Sequence, residues 1–110
     1  MANKYFRQFK TPAAATEETI YTVPDANTAI LTSLRVTNAN SASTLLDVRV
    51  QPDGSATKYS LLSNHFLPVN ATMDVFSGLS CVVQAGDVLT VESSQADVDF
   101  YLSYLEIDRT

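Results

Sequence analysis

The chain reads as all-β: a single antiparallel β-sandwich or jelly roll of about seven to eight strands behind a short N-terminal arm. Three observations predict this. Short Val, Leu, Ile and Thr runs recur and end in Pro, Gly, Asn, Asp or Ser, at a spacing of roughly ten residues. Period-two alternation is clear over Thr44 to Gln51, and no stretch of useful length carries a helical period. Tryptophan is absent, Thr, Ser and Val abound, and only 17% of residues are charged, a composition that favours strands in a globular chain. At 110 residues the chain is one domain. It should bury roughly two thirds of its unfolded surface, enough for a core without metal or disulfide.

The elements follow in order. Residues 1–16 divide into an arm and a connector, Thr11-Pro12-Ala13-Ala14-Ala15-Thr16, with Thr11 and Pro12 suited to cap one helical turn. Residues 17–110 form the sandwich. Its first strand, Thr19 to Val23, is closed by Pro24-Asp25-Ala26-Asn27. The second, Thr28 to Asn38, sets Ile30, Leu34 and Val36 on one face and Ser33, Arg35 and Thr37 on the other. A polar loop leads to Thr44 to Gln51, where Leu46, Val48 and Val50 alternate with Asp47 and Arg49 before the turn Pro52-Asp53-Gly54-Ser55. Lys58 to Leu62 reads as a strand, Asn64 to Pro68 as a loop, and Thr72 to Phe76 as a further strand.

Gln84-Ala85-Gly86-Asp87 joins Leu79–Val83 to Val88–Ser93 and reads as a β-hairpin, with Gly86 supplying the positive φ of a tight reversal. The last strand, Val98 to Ile107, faces Val98, Phe100 and Leu102 one way and Asp99, Tyr101 and Ser103 the other. Leu105 and Ile107 fall out of phase, which points to a bulge near Tyr104.

Charge is uneven. Of 7 basic residues, Lys4, Arg7 and Lys10 lie in the arm, which has no acidic residue, whereas all 12 carboxylates follow from Glu17 onward. The arm also carries Tyr5, Phe6 and Phe9, so it combines aromatic anchors with cations. Lys4, Tyr5, Phe6, Arg7, Phe9 and Lys10 are therefore the candidate partner-binding residues, docking on an acidic protein surface; the alternative is an arm folded on its own domain. Three cations ahead of an acidic body are a poor match to nucleic acid, which is excluded as a partner. No signal-peptide core and no apolar run of about 20 residues is visible, so no membrane partner is expected and synthesis in a cytoplasm is. Asn70-Ala71-Thr72 is then a chance match to a glycosylation acceptor.

Catalytic chemistry has little to build on. His65 is the sole histidine, and a metal site would need it, Cys81 and carboxylates from far apart in sequence. Cys81, within Leu79-Ser80-Cys81-Val82-Val83, reads as a buried thiol without a basic neighbour. Asp97 and Asp99 share a strand face without a third ligand. No nucleophile elbow or phosphate-binding glycine loop occurs. The expectation is a protein that is not an enzyme and holds no cofactor and no metal.

Four segments in this order are similar to a group of small β-sandwich virion proteins of tailed bacteriophages: Glu18 to Pro24, Thr28 to Asn38, Val83 to Val91 and Tyr101 to Ile107. The resemblance covers roughly residues 17–107. It implies a structural protein at the virion surface, a capsid decoration or cement protein bound to the outer capsid, with the major capsid protein or another virion protein as partner. Many weak contacts multiplied by avidity would stabilise the shell. A homo-oligomer of closed symmetry, a trimer first, is expected. The alternatives are a tail, neck or fibre component, and a carbohydrate-binding module that stacks sugars on Tyr59, His65 and Phe66.

Overall fold

The computed structural model describes residues 3–108, which form nine strands: β1 (Asn3–Lys10), β2 (Glu18–Thr22), β3 (Asn27–Asn38), β4 (Thr44–Gln51), β5 (Tyr59–Leu67), β6 (Thr72–Asp74), β7 (Cys81–Gln84), β8 (Val88–Ser93) and β9 (Val98–Asp108). Sheet I runs β1-β9-β3-β6, with β7 also paired to β3, and sheet II runs β2-β8-β4-β5. All pairings are antiparallel. From β2 onward the chain crosses between the sheets at every connection except β4–β5, a hairpin in sheet II, and β6–β7, which both pair with β3 in sheet I; this is jelly-roll connectivity. β6 and β7 pair with opposite ends of β3 and together fill one strand position.

The core lies between the sheets. Ala29, Leu31, Leu34, Val36, Phe100 and Leu102 from sheet I meet Leu46, Val48, Leu89 and Val91 from sheet II, all buried. At one end Asn38 is fully buried and its amide donates to the carbonyls of Ala42, Leu67 and Pro68, so a polar side chain ties the β3–β4 and β5–β6 connections together.

Several expectations change. The segment expected as an arm is strand β1, paired with β9 through every residue from Asn3↔Ile107 to Lys10↔Phe100. The connector holds one turn, closed by the Thr16 N–H on the Ala13 carbonyl, and no helix. Lys58 to Pro68 is not a strand followed by a loop: β5 continues to Leu67 past two register shifts against β4, because bulges let a strand keep pairing where its sequence breaks phase.

The hairpin expected at Gln84–Asp87 is a turn but not a hairpin, since β7 belongs to sheet I and β8 to sheet II. Its turn chemistry holds: the Asp87 N–H donates to the Gln84 carbonyl and Gly86 has φ 83°. The flanking partners lie elsewhere. The Gly86 N–H donates to the Val23 carbonyl, and the Asp87 carboxylate accepts the N–H groups of Asp53 and Gln84.

The bulge expected near Tyr104 sits across from it, on β3. Pairing shifts between Leu31↔Tyr104 and Ser33↔Ser103, leaving Thr32 as the extra residue with its hydroxyl on the Ser103 carbonyl. β9 keeps strict alternation, with Val98, Phe100, Leu102 and Tyr104 buried. The phase of β3 reverses instead, so Ile30 joins the outer face while Ala29 and Leu31 turn inward.

Candidate interaction surface

Pairing with β9 sorts the six candidate residues of β1 onto two faces, since residues directly opposite in an antiparallel pair share a face. Lys4, Phe6 and Lys10 stand opposite Glu106, Tyr104 and Phe100 on the core side. There Phe6 stacks on Tyr104 with ring centroids 5.8 Å apart, Tyr104 meets Tyr21 at 4.2 Å, and Gln8 donates to the Tyr104 hydroxyl at 3.1 Å. Lys10 pairs with Glu18 at 3.0 Å. Glu18 also accepts the Ala13 N–H, and that bond first, then Lys10, holds its carboxyl below the usual range. This half of β1 closes the side of the sandwich. Burial pushes the Tyr21 hydroxyl far up, aided by its hydrogen bond to Glu106, so it stays a neutral donor.

Tyr5, Arg7 and Phe9 point the other way, onto the outer face of sheet I. Tyr5 is 82% exposed and Phe9 60%. Phe9 tilts against Tyr101 at 4.7 Å and the Arg7 guanidinium lies 5.5 Å from the Phe9 ring centre. The register extends the face across the sheet: Tyr5, Leu105, Ile30 and Val82 line up over β1, β9, β3 and β7, and Phe9, Tyr101 and Arg35 form a second row. Val82 is 61% exposed. The contiguous apolar and aromatic character of this face, unlike a scattered exposed leucine, is what makes it the candidate interaction surface. Its cations are Arg7 and Arg35, and neither makes an ion pair among the described residues. A shallow cleft of about 350 Å³ beside them is lined by Phe9, Lys10, Arg35, Asp99 and Tyr101 among others.

Sequence reasoning missed Ile30, Leu105, Tyr101, Val82 and Arg35 as members of this surface. The out-of-phase pair Leu105 and Ile107 was the available signal, because apolar residues at outward positions have no core to fill.

The outer face of sheet II is built differently. Arg49 reaches Glu17 and Glu92 at 3.2 Å each and Asp47 at 3.5 Å, while Lys58 binds Glu17 at 2.8 Å. The Thr90 hydroxyl donates to Glu17 at 2.6 Å. Lys58, then Thr90 and Arg49, hold the Glu17 carboxyl down to about 2. Asp47 also accepts the Asn64 N–H, which anchors the bulged β5 to β4.

The remaining candidates separate. His65 and Phe66 are adjacent on β5 and stand opposite Leu46, which is buried, and Leu45, which is exposed, so they turn to different faces. Tyr59 lies seven residues earlier in the strand, roughly 20 Å away, and the three make no common platform. Cys81 is half-buried beside the core rather than fully buried, and desolvation pushes its thiol up. Asp97 does not share a strand face with Asp99, because it occupies a positive-φ turn before β9, whereas Asp99 accepts the Thr11 hydroxyl at 2.7 Å. No group of three His, Cys, Asp or Glu among the described residues is placed to hold a metal ion.

No family model matches the chain, and no curated protein does. Solved structures do. A chain of the Bacillus endospore appendages, described as disulfide-linked pili, superposes with a TM-score of 0.60 at 14% identity, over 99% of this chain and 88% of that one. A chain of infectious bursal disease virus, Gx strain, does so with a TM-score of 0.56 at 9% identity, over 96% of this chain and 33% of the viral one. The VP2 subviral particle of that virus gives 0.53 at 9% identity, over 94% and 32%. The chain thus spans about a third of those viral chains. At such identities the likeness is one of fold, a two-sheet antiparallel sandwich.

Proposed function

We propose that this protein is a non-enzymatic structural component of a virus particle: a bacteriophage capsid decoration protein that sits on the outer capsid as a homo-oligomer and binds the major capsid protein. The observation that carries the reading is the outer face of sheet I, where Tyr5, Phe9, Tyr101 and Val82 are exposed, Ile30 and Leu105 lie half-buried between them, and Arg7 and Arg35 make no ion pair among the described residues and are available to an acidic partner. Lys4, Phe6 and Lys10 support it from the side of the sandwich by fixing β1 against β9 and β2.

The structural neighbours are a pilus chain and virus particle chains, which supports a role in assembly. The capsid reading is favoured over a disulfide-linked pilus by chemistry. The sequence holds 1 cysteine, so each subunit can make one intermolecular disulfide at most, too few to link a polymer. A tail or neck attachment would use the same surface and differs only in the particle bound.

The test is co-sedimentation with empty mature capsids of the virus that encodes the chain, comparing the wild type with a Tyr5→Ser, Phe9→Ser, Tyr101→Ser variant. Loss of binding with unchanged thermal unfolding supports the reading. Undiminished binding by the triple variant removes it.

A further inference from the structure

We propose that β1 is a pairing edge for a second copy of this chain, and that two copies join antiparallel through β1 about a two-fold axis at Phe6. The proposal rests on the edge itself and stands or falls separately from the capsid reading.

The first ground is how differently the sheet edges are protected. Free edges offer unpaired backbone N–H and C=O groups, and proteins blunt them by shortening, bulging or charging them. β2 has 5 residues and a register shift, β5 has two shifts, and β6 and β7 have 3 and 4 residues. Among the described residues, β1 is the one edge strand that is long and regular: 8 residues, paired to β9 without a shift, exposed from Asn3 to Phe9. Its cations guard it less than their number implies. Lys10 is held by Glu18 and Arg7 lies over Phe9, which leaves Lys4.

The second ground is register. A two-fold axis perpendicular to sheet I keeps the outer faces of both copies on one side, so an odd-numbered residue must meet an odd one and an even residue an even one. Two registers then use nearly the whole strand. The one centred on Arg7 sets Arg7 against its own copy and Lys4 against Lys10, which like-charge repulsion disfavours. The one centred on Phe6 sets Phe6 against Phe6, Tyr5 against Arg7, Lys4 against Gln8 and Asn3 against Phe9. No like charges stand opposite one another, and each Arg7 meets an aromatic ring twice over, its own Phe9 and the second copy's Tyr5. The strand's own sequence therefore admits a second copy in one register. Pairing would extend sheet I continuously across both copies and double the apolar outer face.

The experiment measures self-association of the full chain by sedimentation velocity across a concentration series. A monomer–dimer equilibrium is expected. Tyr5 is 82% exposed, so changing it leaves the fold intact. Tyr5→Arg, facing Arg7 of the second copy, should weaken the dimer roughly tenfold, while Tyr5→Glu should strengthen it by a similar factor, each contact occurring twice per dimer. In a Cys81→Ser background, Phe6→Cys should form a disulfide-linked dimer on oxidation and Tyr5→Cys should do so far less, since only residue 6 meets itself. A chain that stays monomeric, a trimer as the symmetry argument from sequence expects, or a dimer indifferent to the sign of charge at position 5 would each overturn the proposal.

Discussion

The two outer faces of this sandwich use charge in opposite ways. On sheet II the side chains of Glu17, Asp47, Arg49, Lys58 and Glu92 are spent on one another, and Arg49 alone serves three carboxylates. On sheet I, Arg7 and Arg35 make no ion pair among the described residues and are set amid exposed rings and aliphatic side chains. A face whose charges satisfy one another has little to offer a partner, because binding would have to desolvate pairs already formed. A face with apolar area and unpaired cations gains on both counts when covered. The difference is one of charge rather than of apolar area: Leu45 and Phe66 are exposed on sheet II as Tyr5, Phe9 and Val82 are on sheet I, but only the outer face of sheet I leaves its cations without an ion pair among the described residues.

Breaking the contact face should have the largest effect. Phe9→Asp with Tyr101→Asp removes two aromatic anchors and inverts the local charge. On the capsid reading it should cut attachment by about a hundredfold or more, measured by co-sedimentation, and lower the thermal midpoint more modestly, because the two new carboxylates stand opposite one another on exposed strand positions. On the closed face the signs reverse. Arg49→Met leaves Asp47 and Glu92 without a cation among the described residues and Glu17 with Lys58 and Thr90, and should cost about 2 kcal/mol of stability by chemical denaturation, with attachment unchanged.

Acid titration sharpens the same contrast. Glu17 is held at about 2, below its value in the unfolded chain, so its contribution is fully present above about pH 4.5 and is lost as pH falls towards 2. Glu17→Gln should cost about 1–2 kcal/mol at pH 7, discounted for the partial exposure of the pair, and should flatten the stability profile between those two pH values. The smallest effect is expected from Arg7→Gln with Arg35→Gln: attachment weakened a few-fold at low salt and barely at high salt, because exposed cations act through screened attraction.

Truncation distinguishes β1 from a loose arm. Deleting residues 1–10 removes an edge strand whose Phe6 covers Tyr104 and whose Gln8 satisfies its hydroxyl, so the shortened chain should unfold at lower denaturant as well as lose attachment. A truncated chain of undiminished stability would return β1 to the status of an appendage.

Much of the fold was legible because strands and turns are local. The alternation of Leu46, Val48 and Val50 against Asp47 and Arg49 names β4 to the residue, and Val88–Ser93 likewise names β8. The turn at Gly86 was legible for the same reason: its positive φ and the Asp87 cap are written in four residues. The contact surface was legible only in part. Tyr5, Arg7 and Phe9 announced themselves as aromatic and basic, but their companions Ile30, Leu105 and Val82 look like core residues until the sheet is assembled.

By itself, then, the sequence determined the class: an antiparallel sandwich with a core of alternating apolar positions, its turns, and a cationic aromatic start. Only the tertiary structure decided which strand lies beside which. It turned a hairpin into a crossing between sheets, an arm into the edge of sheet I, and a bulge expected on β9 into one on β3 that turns Ile30, half-buried, to the outer face. The physical reason is that turn geometry and side-chain period are set within a few residues, whereas pairing and register are chosen by which distant strands bury the most apolar area together.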